Sequence, residues 1–171
     1  MKAILGDICY PKSETIIIPS NTKGVMTTGV AAKIVKSGLL SISKEVKDYI
    51  KNNTIKECDC FSTGPGRLKR RGLKRIYYSI TKRFQNDFSS IYIINKALRN
   101  ALEAVINDGY SSVTICELGD NNFDKKTIAR IIVENCSKYD NSINITIIDN
   151  NKDFIKEVNV LLRELNNVSI E

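Results

Sequence analysis

Two spacings of apolar residues alternate along the chain. Residues 3–5 form a short apolar run closed by Gly6-Asp7. Residues 15–18, TIII, are β-branched or apolar throughout and stop at Pro19, which predicts a buried strand. Residues 57–63 and 76–80 (IYYSI) predict two more strands, separated by the turn signal Gly64-Pro65-Gly66 and a basic segment. Residues 113–118 predict a strand ending at Gly119, and residues 143–148 (INITII) another ending at Asp149. Between these runs the period lengthens to that of a helix. Residues 29–37 predict a helix with Gly38 as its C-terminal stop, and residues 43–52 a second with Val46, Tyr49 and Ile50 on one face. Ser89 or Ser90 caps a long helix running to Asp108, with Gly109 just beyond it. Its apolar stripe is Ile94, Ala97, Leu98, Ala101, Leu102 and Val105. Residues 125–136 follow Asp124 as N-cap, and residues 153–165 predict a final helix.

Strands alternating with helices predict an α/β fold, a mixed central sheet covered by helices on both faces. No internal repeat or low-complexity linker divides the chain, so residues 1–171 predict a single domain. In such folds ligands bind beyond the carboxyl ends of the strands. The chemistry is therefore to be sought in the loops that follow residues 5, 18 and 116.

Composition narrows what that chemistry can be. The 42% hydrophobic and 26% charged residues are ordinary for a water-soluble domain. No run has the eighteen or so uncharged apolar residues of a membrane helix, and the start MKAILGDICY lacks a signal-peptide core. A cytoplasmic protein with no membrane partner is expected. The chain has no histidine. That excludes Ser-His-Asp and Cys-His nucleophilic catalysis and any His-ligated metal. Five cysteines, an odd number, do not form a disulfide framework. Cys58 and Cys60 would share one face of a strand and are expected as small core residues; no metal site and no cofactor are expected.

Charge is unevenly spread. Residues 1–83 hold 17 Lys/Arg against 6 Asp/Glu, and residues 84–171 hold 9 against 13. The densest cluster is Arg67, Lys69, Arg70, Arg71, Lys74 and Arg75. It either offers a surface to nucleic acid or is a solvated hairpin that keeps the protein soluble. No aromatic residue is interleaved within it, which favours the solvated hairpin.

The strand-end loops carry the sharper signal. Gly6-Asp7-Ile8 offers a carboxylate to an exocyclic amine and an apolar edge to a base. Pro19-Ser20-Asn21 leads through Thr27 and Thr28 to Gly29-Val30 at a helix start, where backbone N–H groups favour phosphate. The Asn21 amide both donates and accepts, which suits a ribose. Glu117-Leu118-Gly119-Asp120-Asn121-Asn122-Phe123 is a third loop between strand and helix. Each read singly is also an ordinary turn.

Taken in order, these stretches resemble the macrodomain family, the three-layer α/β/α module that binds ADP-ribose, from Met1 to about Glu157. Gly6-Asp7-Ile8, Ser20-Asn21, Gly29-Val30-Ala31, Gly66-Arg67-Leu68, Ala97-Leu98 with Ala101-Leu102, and Leu118-Gly119 with Phe123 fall where that family has its motifs. The resemblance implies a ligand-binding set of Asp7, Ile8, Ser20, Asn21, Thr27, Thr28, Gly29, Val30, Leu118, Gly119, Asp120, Asn121, Asn122 and Phe123. Asp7 would meet the adenine amine and Ile8 its ring. Residues 26–30 and 119–123 would wrap the diphosphate. Phe123 would cover the distal ribose, and Asn21 would face that ribose as the catalytic residue of any ADP-ribosyl hydrolysis. An ADP-ribosylated macromolecule is the implied larger partner.

The sequence also departs from that pattern. Met26-Thr27-Thr28-Gly29 keeps one glycine of a glycine run, and Asn121 replaces another. Asp120 adds a negative charge beside the expected diphosphate. Ala31 stands where some hydrolytic members carry an acid. Binding without turnover, and a diverged domain with an inactive pocket, stay open beside hydrolysis.

Overall fold

The computed structural model describes residues 1–119 and 122–168. Six strands form one sheet: β1 (Lys2–Leu5), β2 (Thr15–Asn21), β3 (Cys60–Thr63), β4 (Arg75–Lys82), β5 (Ser112–Ile115) and β6 (Asn144–Asp149). Their order across the sheet is β1-β6-β5-β2-β4-β3. All pairings are parallel except that of β3 with β4, so the expected mixed sheet is present.

β2 is central because its side chains are apolar on both faces. Ile17 enters one buried cluster, while Ile16 and Ile18 enter the other. The first cluster lies under α3 (Ile91–Asn107), α4 (Lys125–Ser137) and α5 (Lys152–Val168), and the second under α1 (Gly29–Gly38) and α2 (Leu40–Asn52). The result is a three-layer α/β/α sandwich.

β2 does not stop at Pro19 as expected but continues to Asn21. The ladder with β5 ends at Ile17↔Ile115, whereas the ladder with β4 runs on to Asn21↔Lys82. Pro19 thus sits where β2 has a partner on one side only, the situation in which a missing N–H is tolerated. The connections leave β2 and β5 in opposite directions across the sheet, so a gap opens between their carboxyl ends.

Other boundaries differ for local reasons. Gly38 is the last residue of α1, not a stop beyond it, and the left-handed break falls on Leu39 at φ 75°. A Cβ at Gly38 would run into the Ile42 side chain, so close packing is what that glycine serves. α2 accordingly begins at Leu40, three residues earlier than expected. The expected strand 57–63 starts only at Cys60, because Cys58 has φ 73° and turns the chain; the two thiols do not share a strand face. The expected hairpin around Gly66 is a 3-10 helix, Gly66–Arg71, with Leu68 buried and Arg67, Lys69 and Arg70 exposed. α3 and α4 carry their expected caps: Ser90 accepts from Ile93 N–H and Asp124 from Thr127 N–H.

At the amino ends of the strands, Glu14 acts as a knot. Its carboxylate takes Lys74 Nζ at 2.6 Å on one oxygen, and the Ser111 N–H and hydroxyl at 2.9 and 2.7 Å on the other. These bonds favour the ionised form and hold the carboxyl down at about 2. A lowered folded-state pKa contributes stability above the ordinary value near 4.5, and that contribution fades as pH falls toward 2. Thermal melts of Glu14→Gln and the parent are therefore expected to converge between pH 4.5 and 2. Parallel curves over that window would deny the assignment.

Candidate functional site

A cleft of about 420 Å³ occupies the gap at the carboxyl ends of β2, β4, β5 and β6. Ligand pockets commonly fall in this size range and at this switch in strand direction. A narrow recess of about 20 Å³ adjoins it, reaching Gly6, Asp7 and Ile8 after β1. Val30, Lys33, Asp149 and Asn150 line both, so the two form one continuous depression.

β2 delivers Ser20 and Asn21. Ser20 is only 6% exposed, and its hydroxyl has no partner among the described residues although it lines the cleft. A buried hydroxyl without a bond is costly unless a ligand or water completes it. Asn21 is spent differently. Its carbonyl oxygen accepts from Lys23 and Val25 N–H, and its amide donates to the Val25 carbonyl at 3.1 Å. One amide hydrogen remains for the cleft. Asn21 therefore shapes the loop that follows β2 as well as facing the cavity.

The loop into α1 solves the problem of its lost glycines by turning side chains away. Met26 is buried in the core below. Thr27 donates to Gln85 Oε1, and Gln85 Nε2 donates to Thr28 Oγ1 at 2.5 Å. Thr28 is the N-cap of α1, yet with its hydroxyl held by Gln85 it makes no cap bond to the helix. The first N–H groups of α1 are left uncapped at the cleft wall formed by Thr28, Gly29, Val30 and Ala31. Thr27 itself is exposed and does not line the cleft.

The opposite wall comes from the loop after β5. Leu118 and Gly119 line the cleft, and a Cβ at Gly119 would stand 2.6 Å from the Ile128 side chain. Glu117 pairs with Lys125 at 2.7 Å. Burial pushes the Glu117 carboxyl up, and the Lys125 ammonium partly reverses this. Asp149 at the end of β6 accepts from Glu117 N–H and Asn151 N–H, which fixes the two strand ends to each other. Lys33 of α1 and Lys82 of β4 also line the cleft and make no ion pair among the described residues. Two unneutralised ammonium groups and an uncapped helix start make this a place for an anion.

At the far end, Asp7 Oδ1 accepts from Cys9 N–H at 2.9 Å, and the Cys9 thiol also lies against the Asp7 carboxyl. Ile8 is 4% exposed and belongs to the core, showing only an edge in the recess.

The structure thus brings Ser20, Asn21, Thr28, Gly29, Val30, Leu118 and Gly119 into one cavity, with Asp7 and Ile8 beside it. Phe123 is not among the residues lining the cleft; it is half-buried and packs against the core under α3, α4 and α5. Asn122 is exposed and also outside the lining. Asp120 and Asn121 lie outside the described residues. Sequence reasoning missed Lys33, Lys82, Gln85 and Lys125, and it placed Glu117 in the third loop without giving it a role. Lys33 lies one helical turn after Gly29 and was the readable one; Gln85 carried no local signal. Cys116, next to the cleft, is fully buried, and burial pushes its thiol well up, which leaves it a structural residue. Among the described residues no group of three or more metal-ligating side chains is found, and no helix is long and apolar enough to cross a membrane.

Comparison with known proteins places this geometry. Residues 17–132 match the family model of the Macro domain. An uncharacterized protein of Aquifex aeolicus is 28% identical over 142 residues, 82% of each chain. The structure superposes on the macrodomain of Mycobacterium tuberculosis DarG with a TM-score of 0.76 at 20% identity, covering 86% of this chain and 97% of that one. It superposes on a variant of the Oceanobacillus iheyensis macrodomain, solved with ADPR, with a TM-score of 0.81 at 15% identity, covering 96% and 92%.

Proposed function

The chain belongs to the Macro domain family, and from that premise we propose that it binds ADP-ribose, or a related adenine nucleotide, in the cleft between β2 and β5. The observation that carries the reading is the uncapped start of α1 in a cavity also lined by Lys33, on α1 itself, and Lys82 of β4, neither of which makes an ion pair among the described residues. Those groups take the diphosphate. The Asp7 carboxylate accepts from the adenine amine, and the Ile8 edge touches the ring. Ser20 and the remaining amide hydrogen of Asn21 meet the distal ribose. An ADP-ribosyl group carried by a larger molecule would enter the same cavity.

Binding is favoured over turnover. Water activation needs a group free to hold it, and Glu117 and Asp149 are committed to Lys125 and to backbone N–H groups. Asn21 has one hydrogen to spare. A hydrolase reading rests on that residue alone.

Calorimetric titration with ADP-ribose tests the proposal. One site per chain is expected, with affinity reduced roughly ten-fold in Asp7→Ala, as for loss of one charge-assisted hydrogen bond. Absence of heat at millimolar ligand would sink it.

A further inference from the structure

We infer that the loop between β4 and α3, together with the first turns of α3, is a docking surface for single-stranded nucleic acid. This does not depend on the nucleotide reading of the cleft. The observation is a run of exposed rings interleaved with cations. Phe84, Phe88 and Tyr92 recur every fourth residue and are 44, 73 and 67% exposed. Four of the molecule's exposed large apolar side chains, with Ile91, fall within this one stretch.

Each ring has a charge beside it or open space. Lys23 Nζ lies 5.7 Å and the Arg83 guanidinium 5.3 Å from the Phe84 ring centre. Lys96 Nζ lies 5.8 Å from the Tyr92 ring centre. Phe88 has no ring contact among the described residues. The acidic residue of the stretch, Asp87, is turned back into its own loop, accepting from Phe84 N–H at 3.0 Å. The loop is held in shape: Asp87 N–H donates to the Phe84 carbonyl, and the Ser89 hydroxyl to the Thr81 carbonyl. The rings are thus presented by a fixed turn and need little ordering on contact.

Exposed rings alone would fit a protein partner equally well. The cations decide the occupant. Flat faces that accept any base, set among ammonium and guanidinium groups that meet phosphate, are what an unpaired strand requires. A duplex hides its base faces and would gain from the cations only.

Fluorescence anisotropy of a labelled oligodeoxythymidylate, with the matching duplex alongside, tests this. Saturable binding that prefers the single strand and weakens with salt is expected. Phe84→Ala with Phe88→Ala should weaken it by roughly a hundred-fold, since each stacked base is worth about ten-fold. Both side chains are exposed, and an unchanged melting temperature and ADP-ribose titration would show that the fold and the cleft survive. Equal affinity for duplex would overturn the inference. So would retention of binding in the ring variants with loss in Arg67→Ala/Lys69→Ala/Arg70→Ala, or no binding at low salt.

Discussion

Gly66→Ala is expected to lower the melting temperature by on the order of 10 °C, as read by thermal melting of the purified variant. Gly66 has φ 54°, in the left-handed region that a side chain disfavours. A methyl group there would also collide with the Gly38 carbonyl oxygen and reach Ile42 Cγ1 at 3.0 Å. The carbonyl is backbone and cannot rotate away, so the 3-10 helix must lift off α1. Strain and overpacking together cost about 3 kcal/mol. Because α1 supplies one wall of the cleft, ADP-ribose affinity should fall with stability. A variant that melts with the parent would show that the two helices are not in the close contact described.

Asn21→Ala is expected to weaken ADP-ribose binding by roughly a hundred-fold and to cost about 2–3 kcal/mol of stability, since three hydrogen bonds from a buried amide are lost. Asn21 is 3% exposed, and its bonds reach Lys23 and Val25 within one turn of loop. Removing them frees the whole segment that leads to the start of α1. The loss in affinity therefore exceeds that of one ligand contact. Titration and chemical denaturation of the same sample separate the two effects. Weak binding with parental stability would mean that Asn21 touches the ligand but does not hold the loop.

Much of the architecture is legible in the sequence because the core pattern is strong. A run such as Ile16-Ile17-Ile18 admits few positions besides a strand buried on both sides, and the stripe from Ile94 to Val105 admits only a helix facing one core. What the sequence hid were features set by contact between distant segments. Gly38 reads as a helix stop, yet it is small because Ile42 packs onto it. Gly64-Pro65-Gly66 reads as a hairpin turn, yet tight seating on α1 winds the following residues into a 3-10 helix. The candidate site divides in the same way. The loop residues Ser20, Asn21, Gly29 and Gly119 carried a local signature and do line one cavity. Gln85, 57 residues from Thr28, joins it only through the folded chain. Phe123, an aromatic at a motif position, packs half-buried against the core and outside the cleft lining.

The edge position of β1 has a consequence for how the molecule is made. β1 pairs with β6 alone, Leu5 opposite Asp149, so of the six strands the one made first waits for the one made last. Until then Asp7 has no framework, and the recess beside the cleft does not exist. The sheet from β2 to β5 can assemble during synthesis, but the end of the cavity proposed for the base is completed only after β6 has been made. Vectorial synthesis thus separates in time the formation of the cleft from that of the recess beside it.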